Sequence, residues 1–179
     1  MNSAAVGLSR GQQIALVLLR TLIGWHFLYE GYFKVVSPAW GRDGAPVEPF
    51  SSVAYLQNAS GPLGGLFRSL AQPGWIPWID TAVAIALVAA GLMLMLGLLT
   101  QLGCALAILL LAMFYVSAIP VTGLPQPRAE GTYLIVNKNL IELIAVAVLM
   151  LFRTGRIAGL DLLLRRRPAA VLQRTGTTP

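Results

Sequence analysis

The chain has 179 residues, of which 56% are hydrophobic and only 11% charged. An average soluble domain is about a quarter charged, whereas Thr81 to Pro127 carries no charged residue here; in water that surface could not stay neutral, so lipid is the solvent for this part. The net charge of +6 would suggest nucleic acid in a soluble protein, but six arginines (Arg153, Arg156, Arg165, Arg166, Arg167 and Arg174) follow the last apolar stretch, where they read as a topology signal and a contact for anionic lipid, with no nucleic-acid partner.

Cysteine and histidine usage narrows the chemistry further. There is one of each, Cys104 and His26. A lone cysteine excludes an internal disulfide, a CxxC redox pair and a zinc site built on cysteines. A lone histidine excludes a bis-histidine haem, and no CxxCH is present. The chain therefore has no haem, metal or disulfide motif, and a redox cofactor would be mobile or held by a partner.

The first apolar span is expected at residues 12–36, ended by Ser37–Pro38, since proline stops a helix. Arg20, His26 and Glu30 interrupt it, and no small-x-small cleavage site follows, so it reads as a membrane helix and not as a cleaved leader. The loop at 37–74 contains Leu63, Leu66, Phe67 and Leu70 at i, i+3, i+4 and i+7, one stripe of a short amphipathic helix. The second span is expected at 76–99 and the third at 101–119, joined by a tight turn into an antiparallel hairpin. A loop at 121–132 leads to the fourth span at 133–152, entered through Gly131 with Thr132 as its N-cap.

The expected fold is thus all-α: a four-transmembrane-helix bundle at 1–160, with a short amphipathic helix in the first outer loop, followed by a basic tail at 161–179. Each span has roughly the 20 residues that a ~30 Å hydrocarbon layer needs. Four spans put both termini on one side. Arg10 and the arginine tail make that side cytoplasmic by the positive-inside rule.

The ionisable residues inside these spans carry the functional signal. A charge at the centre of a membrane helix costs roughly 2.5–3.5 kcal/mol on insertion scales, so such groups face the bundle interior and pair. His26, Glu30 and Lys34 are four apart and form a sloping column on the first helix. Lys138 and Glu142 repeat that spacing on the fourth, with Asn137 and Asn139 beside them. Counting ~1.5 Å per residue from the helix ends places both groups, and Asp80 on the second helix, at one level in the outer half of the bilayer. The expected site is a polar layer with the acids Glu30, Asp80 and Glu142 set against the bases Lys34 and Lys138. In it His26, Glu30 and Glu142 are candidate proton-transfer residues, and Lys34, Asp80, Asn137, Lys138 and Asn139 candidate substrate-binding residues.

Taken singly, each group has an ordinary structural reading. Lys34 would snorkel to the interface, Asp80 would favour a helix N-terminus, and His26 would be a hydrogen-bonded core residue. Arg20 lies about 21 Å from Lys34 along the helix axis, in the inner half. It shares a face with Gly24, Phe27 and Gly31. The glycines imply close helix contact, and Arg20 is either a buried structural arginine or one that snorkels inward. Cys104 reads as inert packing.

Two segments resemble a known family. LLRTLIGWHFLYEGYFKVVSPAW, with Arg20, Gly24, Gly31 and Lys34 in an R-x-x-x-G spacing continued to G-x-x-K, and GTYLIVNKNLIELIAVAVLM, with VNKNLIE at 136–142, look like the DoxX/DoxD family of small four-helix membrane proteins. The resemblance spans about Leu16 to Phe152 and implies the inner membrane of a bacterial or archaeal cell. It implies a quinone-linked membrane redox role, since DoxD-like members are subunits of a thiosulfate:quinone oxidoreductase, with an exchangeable quinone as cofactor. Beside this stand two other readings. One is a non-catalytic accessory or assembly subunit of a larger membrane complex, in which the charged layer specifies assembly. The other is a small-solute or ion transporter. Expected partners are membrane lipid and either other membrane-complex subunits or further copies in a homo-oligomer.

Overall fold

The computed structural model describes residues 7–36, 50–119, 132–133 and 135–165. Ser37–Pro38, Pro120, the loop at 121–131, and Arg166, Arg167 and Arg174 lie outside the described residues. In chain order the elements are α1 (Arg10–Val36), α2 (Val53–Gln57), α3 (Gly64–Leu70), α4 (Ile76–Leu96), α5 (Thr100–Ser117), β1 (Thr132–Tyr133), β2 (Val136–Asn137), α6 (Lys138–Leu151), a 3₁₀ turn (Thr154–Arg156) and α7 (Asp161–Arg165). Among the described residues three helices, α1, α4 and α5, are long and apolar enough to cross a membrane. The protein is a helical membrane protein.

α1 lies along α4, α4 along α5, and α5 along α6, with α1 also touching α6. Small residues set these approaches. A Cβ on Gly24 would stand 2.7 Å from the Met95 amide nitrogen, and one on Gly31 2.8 Å from that of Val88. Only glycine admits the α4 backbone this close, as expected from the helix face that carries them. The core fills with Phe27, Leu94, Cys104, Ala107, Val146 and Leu149, all buried. Cys104 is packing, as its position foretold.

The α4–α5 hairpin turns where Gly97 adopts φ +62°. Its amide donates to the Leu94 carbonyl and that of Leu98 to Met93, the paired bonds that close a helix C-terminus on a left-handed glycine.

Two local expectations need correction. The fourth helix begins at Lys138, not at Tyr133. The residues before it form a two-residue antiparallel ladder, Thr132 with Asn137 and Tyr133 with Val136, favoured by β-branched and aromatic side chains. Asn137, not Thr132, is the N-cap, its side-chain oxygen accepting from the Leu140 amide at 3.0 Å. α6 has 14 residues, about 21 Å of axis. The predicted amphipathic helix in the first loop does form as α3, but its stripe is split: Phe67 is buried while Leu63 and Leu66 are 48% and 56% exposed. The reason is that α3 packs edgewise on a small cluster with Leu56, Ala59 and Ile76, which only part of the stripe reaches.

The end of the chain closes the opposite end of the bundle. The Leu160 amide donates to Leu96 and the Asp161 amide to Gly97. Gly159, at φ +133°, lies against Gly97, where a Cβ on either would stand within 2.8 Å of the other's Cα. Residues 159–161 thus grip the α4–α5 turn, and α7 begins at the position at which the sequence seemed to pass from bundle to tail.

Candidate functional site

The site begins with the i, i+4 column on α1 and the start of α6. His26 Nδ1 meets Glu142 Oε1 at 2.7 Å, with the two side chains 44% and 14% exposed. The shared level inferred from helix rise is therefore real for this pair. The expected partners for the other two are not. Lys34 Nζ donates to Glu30 Oε2 at 3.3 Å within α1, not to a residue of α6, and stands 4.3 Å from the centroid of the Phe50 ring, within cation–π range.

Asp80 is also not part of a charge layer. Its Oδ1 accepts from the Ser52 amide at 2.8 Å and so fixes the start of α2. Asn137 is buried as the α6 cap, which commits its side-chain oxygen to the helix. Lys138 and Asn139 stand at the first two positions of α6.

A cavity of about 270 Å³ joins these groups. His26, Glu30, Lys34, Lys138 and Asn139 line it, together with Phe50, Ser52, Tyr55, Phe67, Val83 and Phe114. Most of the wall is apolar, with a few convergent polar groups, the usual make-up of a small-molecule site. Residues 50–67, before α4, roof it. Tyr55 hydrogen-bonds the Ser117 hydroxyl and donates to the Phe114 carbonyl at 3.1 Å. Burial pushes the Tyr55 phenol up, against the pull of its bond to Ser117. The Ser60 amide donates to the Ser117 carbonyl at 3.1 Å, and the roof is so tied to the end of α5. Sequence reading missed Phe50, Ser52 and Tyr55. α2 has five residues, too few to show a helical period.

One residue, Lys138, marks the cavity as more than packing. Ser52 Oγ is buried without a hydrogen-bond partner among the described residues, but so are Arg20 Nε and the Thr154 hydroxyl elsewhere, so it does not single the cavity out. Lys138 is the first residue of α6, where a cation opposes the helix dipole, and it lies N-terminal to Glu142 at i, i+4, the less favourable order for such a pair. Neither placement benefits the fold.

Arg20 belongs to a different place. It is 2% exposed and donates from one terminal nitrogen to the Ala158 carbonyl at 2.7 Å and the Thr154 carbonyl at 3.1 Å. It is a buried structural arginine and does not snorkel. Asp161 lies nearby, its oxygens accepting from the Leu99 amide at 2.7 Å and the Thr100 amide at 3.0 Å.

Comparisons with protein-family models, with curated proteins and with solved structures found no match.

Proposed function

We propose that this chain is a DoxX-like integral membrane protein of four spans, with α6 as the fourth and both termini cytoplasmic, serving as a quinone-linked redox subunit. The observation that carries this reading is His26, held by Glu142, on the wall of an amphipathic cavity of about 270 Å³ that Lys138 and Asn139 also line. The residues fit a quinone head group: an apolar slot for the ring, and hydrogen-bond donors for two carbonyl oxygens.

A bound quinone would supply two-electron redox chemistry, taking up two electrons and two protons to give the quinol. A redox partner subunit is the electron source. In this chain Glu142 holds His26 through Nδ1 and leaves Nε2 to exchange a proton, a role that suits imidazole near neutral pH. Lys138 and Asn139 orient the carbonyl oxygens. The roof excludes water.

The test is equilibrium dialysis of a short-chain benzoquinone against the purified protein in mild detergent. Binding should weaken roughly tenfold in His26→Ala and in Lys138→Ala, the loss of one good hydrogen bond to a charged donor. Binding unchanged in both variants sinks the site, and stoichiometric co-purification without quinone binding would leave the accessory-subunit reading in its place.

A further inference from the structure

The charged groups of the helices are not spread along the bundle. His26, Glu30 and Lys34 on α1, Asp80 on α4, and Lys138 and Glu142 on α6 all stand toward the end where α1 finishes and α6 starts. Beyond that level, α4 from Thr81 to Leu96, α5 from Thr100 to Ser117 and α6 after Glu142 carry no charge. On α1 the next charge is Arg20, about 9 Å along the axis from His26. It is buried, with its guanidinium donating to the Thr154 and Ala158 carbonyls.

Between those two levels the bundle is filled. Ile23, Leu94, Ala107, Val146 and Leu149, drawn from all four helices, are buried in one core cluster. Among the described residues no carboxylate, imidazole or amine stands in that layer, and water does not enter a packed apolar core. A proton has no carrier across it.

The other end offers one. Glu30 lines the cavity, yet its side chain is 46% exposed. It stands one turn from His26 at i, i+4. A carboxylate that borders both the cavity and the surface passes a proton under a roof that keeps bulk water out. The other charges around His26 are Glu142 and Lys138 on α6, with Lys34 and Tyr55 farther along the cavity wall. Neither α4 beyond Asp80 nor α5 adds a charge.

We propose that this cavity exchanges protons only with the aqueous phase at the end where α1 finishes, through Glu30. The role rests on the reading of His26 given above. Each proton that Nε2 gives to a bound carbonyl oxygen is replaced by one from Glu30, which takes one from water at that end. Reduction in the cavity thereby draws its protons from one side of the membrane, the side away from the termini.

Proteoliposomes of the full chain labelled with ¹⁵N-histidine test it, since His26 is the sole histidine and gives one imidazole signal. The lumen is kept alkaline while the exterior is acidified with impermeant buffers, and protease removal of a C-terminal tag counts the two orientations. The share of imidazole protonated from outside should equal the share of molecules whose tag is protected. A proton ionophore should then protonate the rest. Protonation of the tag-exposed share, or of both shares before the ionophore, overturns the proposal, and so does an imidazole that the ionophore leaves neutral. Glu30→Gln should slow exchange of the Nε2 proton with water roughly a hundredfold, as loss of a proton-transfer group does, and Glu30→Asp should keep most of the rate. Exchange as fast in Glu30→Gln as in the parent also overturns it. No quinone is present, so one-sided protonation without quinone binding in dialysis removes the redox reading alone.

Discussion

His26 and Glu142 are 116 positions apart in the chain and 2.7 Å apart in space. They tie α1 to α6, the two helices that share the least packing of the bundle's neighbouring pairs. Glu142→Gln keeps the shape and removes the charge. We expect it to lower stability by about 1–2 kcal/mol, the range for a hydrogen bond to a charged group set in a partly exposed position, and to weaken quinone binding. Thermal unfolding in detergent reads the first and dialysis the second. A variant as stable as the parent would show that the contact is incidental.

Lys138 offers the opposite separation. It opposes the α6 dipole, so Lys138→Ala should leave stability unchanged or raise it by up to about 0.5 kcal/mol, while ligand binding falls. A drop in melting temperature together with binding would make Lys138 structural, and the cavity argument would lose its cation.

Gly24 tests the α1–α4 seam. An alanine Cβ there would lie 2.7 Å from the Met95 amide and 3.0 Å from the Gly91 carbonyl, backbone atoms that cannot step aside. Gly24→Ala should cost about 1–3 kcal/mol, as overpacking does. Gly11→Ala, where nothing lies within 4 Å, should be neutral or stabilising by about 0.5–1 kcal/mol through helix propensity. Equal effects at the two positions would contradict the close seam.

Asp161 gives a pH dependence. Burial works to raise its carboxyl, but the Thr100 side chain, the amides of Thr100 and Leu99, and Arg20 outweigh it and hold it below the ordinary carboxylate range. A lowered folded-state value means stability that is present above the unfolded value of about 3.9 and lost as pH falls through the folded one. Asp161→Asn should therefore cost about 1 kcal/mol at pH 7, as loss of a helix cap does, and the gap to the parent should begin to narrow as pH falls below about 4. Unfolding followed at pH 7, 5 and 3 would show it; a gap as wide at pH 3 as at pH 7 would mean that the carboxylate charge is not what matters.

The features legible in the sequence were those that depend on one helix at a time. The face with Arg20, Gly24, Phe27 and Gly31 is set by spacing alone, and the level shared by His26 and Glu142 by rise per residue. Who pairs with whom was not legible, because it depends on rotation about the helix axis. Four residues turn an α-helix by about 400°, so each step along His26, Glu30 and Lys34 swings about 40° further round. His26 faces α6, and by Lys34 the column has turned to the loop and Phe50. Asp80 was misjudged, and Asp161 passed over, for a related reason. Both accept from backbone amides far along the chain, and an amide leaves no mark in the sequence. The roof was hidden because its ties, such as Tyr55 to Ser117, join residues 62 apart through elements too short to announce themselves.

The grip of residues 158–161 on the bundle has a consequence for how the protein is made. Arg20 enters the membrane with the first helix, yet its carbonyl acceptors, Thr154 and Ala158, lie 134 and 138 residues later. Until the ribosome has delivered them, the guanidinium must be sheltered by the insertion machinery, by water drawn into the nascent bundle, or by lipid phosphate. Synthesis through Ala158 is thus what supplies both acceptors, and a product ending short of it would leave the buried guanidinium without them.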